Sequence, residues 1–237
     1  MSSAPSEIGG AEIATPSGKN ASNENFPVGS VLIRAELRPH VHAFYRFARM
    51  GDDIADNAAL SPEDKVARLD MMDAVLVDSA REDIVQAADL RRSLAARNVS
   101  PINSSELLKA FRMDATKQRY ANWDELMLYC RYSAAPVGRQ LLDLHSEPAD
   151  ARGPSDALCA ALQVLNHLQD CGVDYKEMDR VYVPQDALAA HGAQTGDLAA
   201  DRSSAGVAQA LNDLLDKTEL LMVDARKLPG RLKDFRL

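Results

Sequence analysis

A chain of 237 residues, 46% apolar and 26% charged, can bury one sizeable core and is compatible with a single domain. Its net charge of -8, with no long Lys/Arg run, argues against nucleic acid as a partner, because phosphate binding needs a basic footprint. No apolar window reaches the length of a membrane span, and no basic segment followed by an apolar core marks a secretory signal. A cytoplasmic location is therefore expected. It agrees with Cys130, Cys159 and Cys171, which are odd in number, lack CxxC spacing and read as reduced core thiols.

Met1 to about Ser22 is rich in Ser, Ala, Gly and Asn without any period, which predicts a disordered tail ahead of a domain over residues 23–237. Val31 to Ala59 is apolar, with Val41, Phe44, Phe47 and Ile54 at helical steps. This helix carries Asp52-Asp53-Ile54-Ala55-Asp56. Asp52 and Asp56 are four apart and Asp53 and Asp56 three apart, so the carboxylates crowd one turn, with Arg49 a turn earlier. Hard oxygen ligands in sparse number suit Mg2+. The alternative is a solvated acidic face.

Ser61-Pro62-Glu63-Asp64 starts the next helix, with Ser as cap and Pro at the first position. A third helix covers about Ile84 to Ala96, and Ser104 or Ser105 is expected to cap a fourth through Leu107, Leu108 and Phe111. Asp114 to Tyr120 is polar and reads as a helix end or a loop over a site. Asn122 to Glu125 opens a helix from Trp123 to about His145, in which Pro136 and Gly138 predict a kink. The small residues Ser133, Ala134, Ala135 and Gly138 leave room for close packing or for a ligand channel.

The helix from Ser155 to about Met178 carries Asn166, Asp170 and Asp174 at steps of four, on one face. Such groups are costly to bury unless paired or metal-bound. His167 and Asp170 also have metal-pair spacing, but the Asn/Asp/Asp stripe accounts for Asp170 better. Val181 to Pro184 is extended, Gln185 to His191 makes a short helix, and the last helix spans about Gly206 to Arg226. With no strand pattern, the fold class is all-α. Two helices bearing oxygen ligands, facing one another across a cavity, would hold metals that bind a diphosphate and neutralise its charge as it leaves.

These residues resemble the squalene/phytoene synthase family, the trans-isoprenyl diphosphate synthases that join prenyl chains head to head. The resemblance rests on Asp52 to Asp56, on Asp170 to Asp174 with Asn166 and Gln163 before them, and on Tyr45, Arg49 and Asp52 at their spacing. Tyr129-Cys130-Arg131-Tyr132 leading to Val137-Gly138 adds to it. It implies an isoprenoid synthase-type helical bundle around a central cavity. It implies Mg2+ on Asp52, Asp53, Asp56, Asn166, Asp170 and Asp174. A prenyl diphosphate would meet Asn25, Phe26, Tyr45, Val137 and Gln163. Arg49, helped by Lys176 or Arg180, would face the leaving oxygens, with Tyr129 near the cation. Phe44, Tyr132 and Leu162 would extend the wall.

Glu24 to Val28, Asp114 to Tyr120, Tyr129 to Gly138 and Arg180 to Pro184 are similar to the branch of the family in bacterial hopanoid pathways. That branch takes presqualene diphosphate, expels diphosphate and adds water. It implies no nicotinamide, companion enzymes of the same pathway, and a peripheral contact with the inner face of the membrane for an oily substrate. Glu24 and Gln169 depart from the family pattern. The chain stops at Leu237, where the family continues into a helix that closes the cavity, so residues 1–237 are expected to be less stable than a longer parent. The alternatives are a head-to-head synthase making presqualene diphosphate, squalene or phytoene, an all-α Mg-dependent nucleotide pyrophosphohydrolase, and a helical interaction module with solvated acids.

Overall fold

Helix α1 (Arg38–Asp56) begins with Pro39 in its first turn, where the missing N–H has no intrahelical partner to lose. The computed structural model describes residues 33–237, so the expected tail, Asn25 and Phe26 lie outside the described residues. On α1, Val41, Phe44, Phe47, Met50 and Ile54 are buried at helical steps. They meet α2 (Pro62–Val77), α3 (Val85–Ala96) and α4 (Ile102–Thr116) in one core that also takes Leu69, Leu90 and Leu108. Ser61 caps α2 as expected, its Oγ accepting from the Asp64 N–H at 3.1 Å.

Helix α4 starts earlier than expected, after Pro101, and neither Ser104 nor Ser105 caps it. Both hydroxyls bond to other helices instead: Ser104 donates to Gln140 Oε1 at 3.0 Å and Ser105 to Asp73 Oδ1 at 2.6 Å. The expected long helix from Trp123 is two helices, α5 (Trp123–Ser133) and α6 (Ala135–Leu144), broken at Ala134. Pro136 thereby falls in the first turn of α6 rather than inside a helix, where it would cost about 3 kcal/mol. Asn122 caps α5 through the Glu125 N–H at 3.0 Å.

Helix α7 (Arg152–Met178) is 27 residues long, or about 40 Å. It packs on α5, on α6 and on α9 (Ala205–Ala225), with the short α8 (Gln185–Ala190) beside α9. Asp179 ends α7 in the left-handed region at φ 50°, a conformation aspartate tolerates better than most residues. The Asp179 and Arg180 amides close on the Tyr175 and Asp174 carbonyls at 3.1 and 3.2 Å. The chain then turns back, and residues 180–184 run extended beside residues 117–121. An isolated parallel bridge joins Arg119 to Val181, and the Val181 N–H donates to the Gln118 carbonyl at 2.9 Å. The described residues contain no strand.

Two glycines set helix spacings. A Cβ on Gly51 of α1 would sit 2.6 Å from Phe111 Cδ2 of α4, and one on Gly138 of α6 would sit 2.5 Å from Ser155 Oγ of α7. Cys130, Cys159 and Cys171 carry free thiols. Among the described residues, no helix is long and apolar enough to cross a membrane.

Candidate active site

A cavity of about 450 Å3 opens between α1, α4, α5, α6 and α7. Along α1 its lining runs from Val41 and Phe44, past Tyr45, Ala48 and Arg49, to Asp52 and Asp56. Apolar wall thus gives way to acid over about 20 Å of helix. Helix α7 contributes Gln163, Asn166, His167, Asp170 and Asp174, and α4 adds Leu107, Phe111 and Asp114. Tyr129 and Ser133 of α5 and Val137 and Leu141 of α6 complete much of the wall. The two oxygen-ligand stripes therefore reach one cavity, together with Tyr45, Arg49, Tyr129, Val137 and Gln163.

Four residues read as part of the site from the sequence stand elsewhere, the first being Tyr132, which packs against the cluster of Ala110, Tyr120 and Leu126 instead of lining the cavity. Asp53 is not on the cavity wall. It is buried, and its Oδ1 accepts from Arg49 Nε at 2.9 Å. The reason is rotational: at 100° per residue, Asp53 follows Met50 and precedes Ile54 on the core side, while Asp52 and Asp56 turn outward into the cavity. Leu162 is 53% exposed and does not line the cavity, so it supplies no wall. Lys176 is also exposed, whereas Arg180 lines the cavity.

The acids crowd one another. Burial, then the neighbouring Asp56, pushes the Asp52 carboxyl up to about 7, although Arg49 Nη1 lies 3.0 Å from its Oδ2. Burial, then Asp170, raises Asp174 to about 6. Among the described residues no three carboxylate, imidazole or thiol groups converge into a closed metal cage. The set is instead an open one of carboxylates and an amide, short of positive charge.

Behind the acids lies a polar knot whose contacts between elements helical spacing does not reveal. Asp114 is buried on α4, and accepts from the Tyr129 hydroxyl at 2.9 Å and the Tyr182 hydroxyl at 2.7 Å. Arg180, 5% exposed, donates to Asp56 Oδ1 at 2.9 Å and to the Asp114 carbonyl at 3.2 Å. His167 stacks on Tyr182, with ring centroids 3.6 Å apart, and its Nε2 lies 3.0 Å from Gln163 Nε2. Burial, then the Arg180 charge, lowers the imidazole to about 3, so it is neutral. One local signal did point to Asp114: it follows Leu107 and Phe111 at steps of four and three, on the apolar face of its helix.

The Asp114 carboxyl gives a pH signature. Burial holds it at about 6, above its ordinary 3.8, despite Arg180 and the two tyrosines. Its contribution to stability is full below the unfolded value and is lost as pH rises through about 6. A displacement of that size is worth roughly 3 kcal/mol. Urea titrations from about pH 4 to about pH 7 should therefore show the wild type losing stability relative to Asp114→Asn, by up to that amount. Parallel curves would show that this carboxyl does not titrate with folding.

The chain belongs to the squalene/phytoene synthase family, whose pattern its residues 19–237 match. The family acts on prenyl diphosphates. The chain is 50% identical, over 90% of its length and 73% of the relative's, to the hydroxysqualene synthase of Sinorhizobium fredii. It is 48% identical, over 93% of its length and 75% of the relative's, to the hydroxysqualene synthase of Rhodopseudomonas palustris. Among solved structures, squalene synthase HpnC from Alicyclobacillus acidocaldarius is 33% identical, with a TM-score of 0.78 over 89% of this chain and 80% of that one. A dehydrosqualene synthase solved with a ligand, 24% identical, shares the fold with a TM-score of 0.75 over 86% of this chain and 72% of that one.

Proposed function

We propose that this chain converts presqualene diphosphate to hydroxysqualene, breaking the carbon–diphosphate bond and capturing the cation with water. The observation that carries the reading is the shared cavity, with acids from α1 and α7 in its lining together with an apolar wall. The name of the relatives at 44–50% identity supports the product.

The donor set fits Mg2+. Asp52, Asp56, Asn166, Asp170 and Asp174 are hard oxygen ligands, and the raised acids mark a local deficit of positive charge. Mg2+ held by these residues would supply positive charge to stabilise a departing diphosphate. Arg49 and Arg180 add fixed cationic groups beside the same oxygens. Val41, Phe44, Phe111, Val137 and Leu141 take the hydrocarbon and keep bulk water from the cation. Tyr129 gives its hydroxyl hydrogen to Asp114, which leaves its ring and its oxygen lone pairs for positive charge at the wall. No electron is gained or lost overall, so no nicotinamide is required. An oily substrate and product favour a peripheral membrane contact and companion enzymes of a hopanoid pathway.

The test is incubation with presqualene diphosphate and Mg2+, without nicotinamide. The expected products are hydroxysqualene and diphosphate in equal amounts. A hydrocarbon made only when a nicotinamide is added, or turnover of two farnesyl diphosphates with none of presqualene diphosphate, would refute the reading.

A further inference from the structure

A cavity that adds water to a carbocation has to deliver one water to one carbon and keep the others away. Its apolar wall contains few polar groups, and several are already engaged. The Tyr129 and Tyr182 hydroxyls both give their hydrogens to Asp114. Gln163 is different. Its amide nitrogen lies 3.0 Å from His167 Nε2, and both residues line the cavity one turn apart on α7. His167 is buried and stacked on Tyr182, so its ring cannot swing. Two facing nitrogens form a hydrogen bond only if one donates and the other accepts, or if the amide is turned to present its oxygen. In either orientation the amide keeps a second donor or acceptor position, and one side of it is fixed by the ring.

We infer that His167 is a positioning residue: it holds the Gln163 amide so that the amide presents one ordered water to the cationic carbon, directing the product to an alcohol rather than an alkene. This rests on the water-adding reaction proposed above. The electrons balance without a redox partner. Diphosphate departs with the electron pair of its bond to carbon, a water lone pair forms the new carbon–oxygen bond, and the released proton passes to the diphosphate. Without a held water the same cation loses a proton from a neighbouring carbon and becomes an alkene.

The experiment supplies presqualene diphosphate and Mg2+ to the wild type, His167→Phe, His167→Gln and Gln163→Met, and measures alcohol formed per diphosphate released. Phenylalanine keeps the stack on Tyr182 and loses the hydrogen bond. We expect alcohol per diphosphate to fall by about tenfold in His167→Phe, the effect of losing about one hydrogen bond, with alkene in its place. His167→Gln, which restores a polar group near the Nε2 position, should recover most of the alcohol. Gln163→Met should match His167→Phe, and it reads the same partition should the histidine variant fail to fold. An unchanged alcohol share in His167→Phe or in Gln163→Met overturns the inference. So does a folded His167→Phe that releases no diphosphate, because His167 then serves ionisation. A wild type that makes no alcohol overturns the proposed reaction itself, an outcome distinct from the other two.

Discussion

Replacing Asp170 by alanine is expected to cut turnover by at least about a thousandfold, or about 4 kcal/mol of transition-state stabilisation, while the helices stay folded. Asp170 lines the cavity on α7 and stands one turn from both Asn166 and Asp174. On the function proposed above, its loss removes a hard ligand where the leaving group must be neutralised, and it relieves a repulsion that raises Asp174. The melting temperature of the metal-free chain should therefore hold or rise. Asp52→Ala should behave alike. Asp53→Asn is the contrasting variant: its carboxylate faces Arg49 off the cavity wall, so it should lose stability more than activity. Full turnover in Asp170→Ala would remove the acids from the mechanism. Equal losses in Asp53→Asn and Asp52→Ala would return Asp53 to the ligand set.

The second large effect is expected at Arg180. Its guanidinium is buried and spans Asp56 and the Asp114 carbonyl, joining α1 to the end of α4. Arg180→Met keeps much of the apolar stem and leaves the Asp56 carboxylate and the Asp114 carbonyl without this cation. Removing one partner of a buried pair costs about 3–5 kcal/mol. Asp56 keeps 29% of its side chain exposed, so the lower end, about 3 kcal/mol, is the expectation. Urea denaturation measures it, and a double variant with Asp56→Asn should recover part of the loss. A loss under about 1 kcal/mol would place this pair with ordinary surface bridges.

Local chemistry was readable from the sequence wherever a short range decides the outcome. Ser61 and Asn122 cap their helices because a cap needs only its own next turn. Asp52, Asp56, Asp170 and Asp174 reach one cavity because residues four apart share a helix face. Spacing alone did not separate Asp53 from its neighbours, since steps of three and four both count as one face. The burial of Met50 and Ile54 separates them. Pro136 is compatible with a kink inside one helix or with a break at Ala134, and the sequence alone does not separate the two. Ser104 and Ser105 look like caps until Gln140 and Asp73 arrive from other helices. The Asp114–Tyr182 bond was beyond reach: its partners are 68 residues apart, and they meet because the left-handed Asp179 reverses the chain.

The bare backbone at Gly51 has a consequence for how this bundle can change. The ring it rests against, Phe111, is at once spacer and cavity lining, and the next residue along α1 is Asp52. The bore of the chamber and the seat of its charges are thus machined from one piece. Widening the bore by pushing α1 away would drag the acids with it, and Gly138 imposes the same tight fit between α6 and α7. Accommodation of a longer or bulkier chain is therefore confined to wall positions that carry no such gauge, Ala48 and Val137 among them. There a side chain can be exchanged without resetting the distance between one helix and the next.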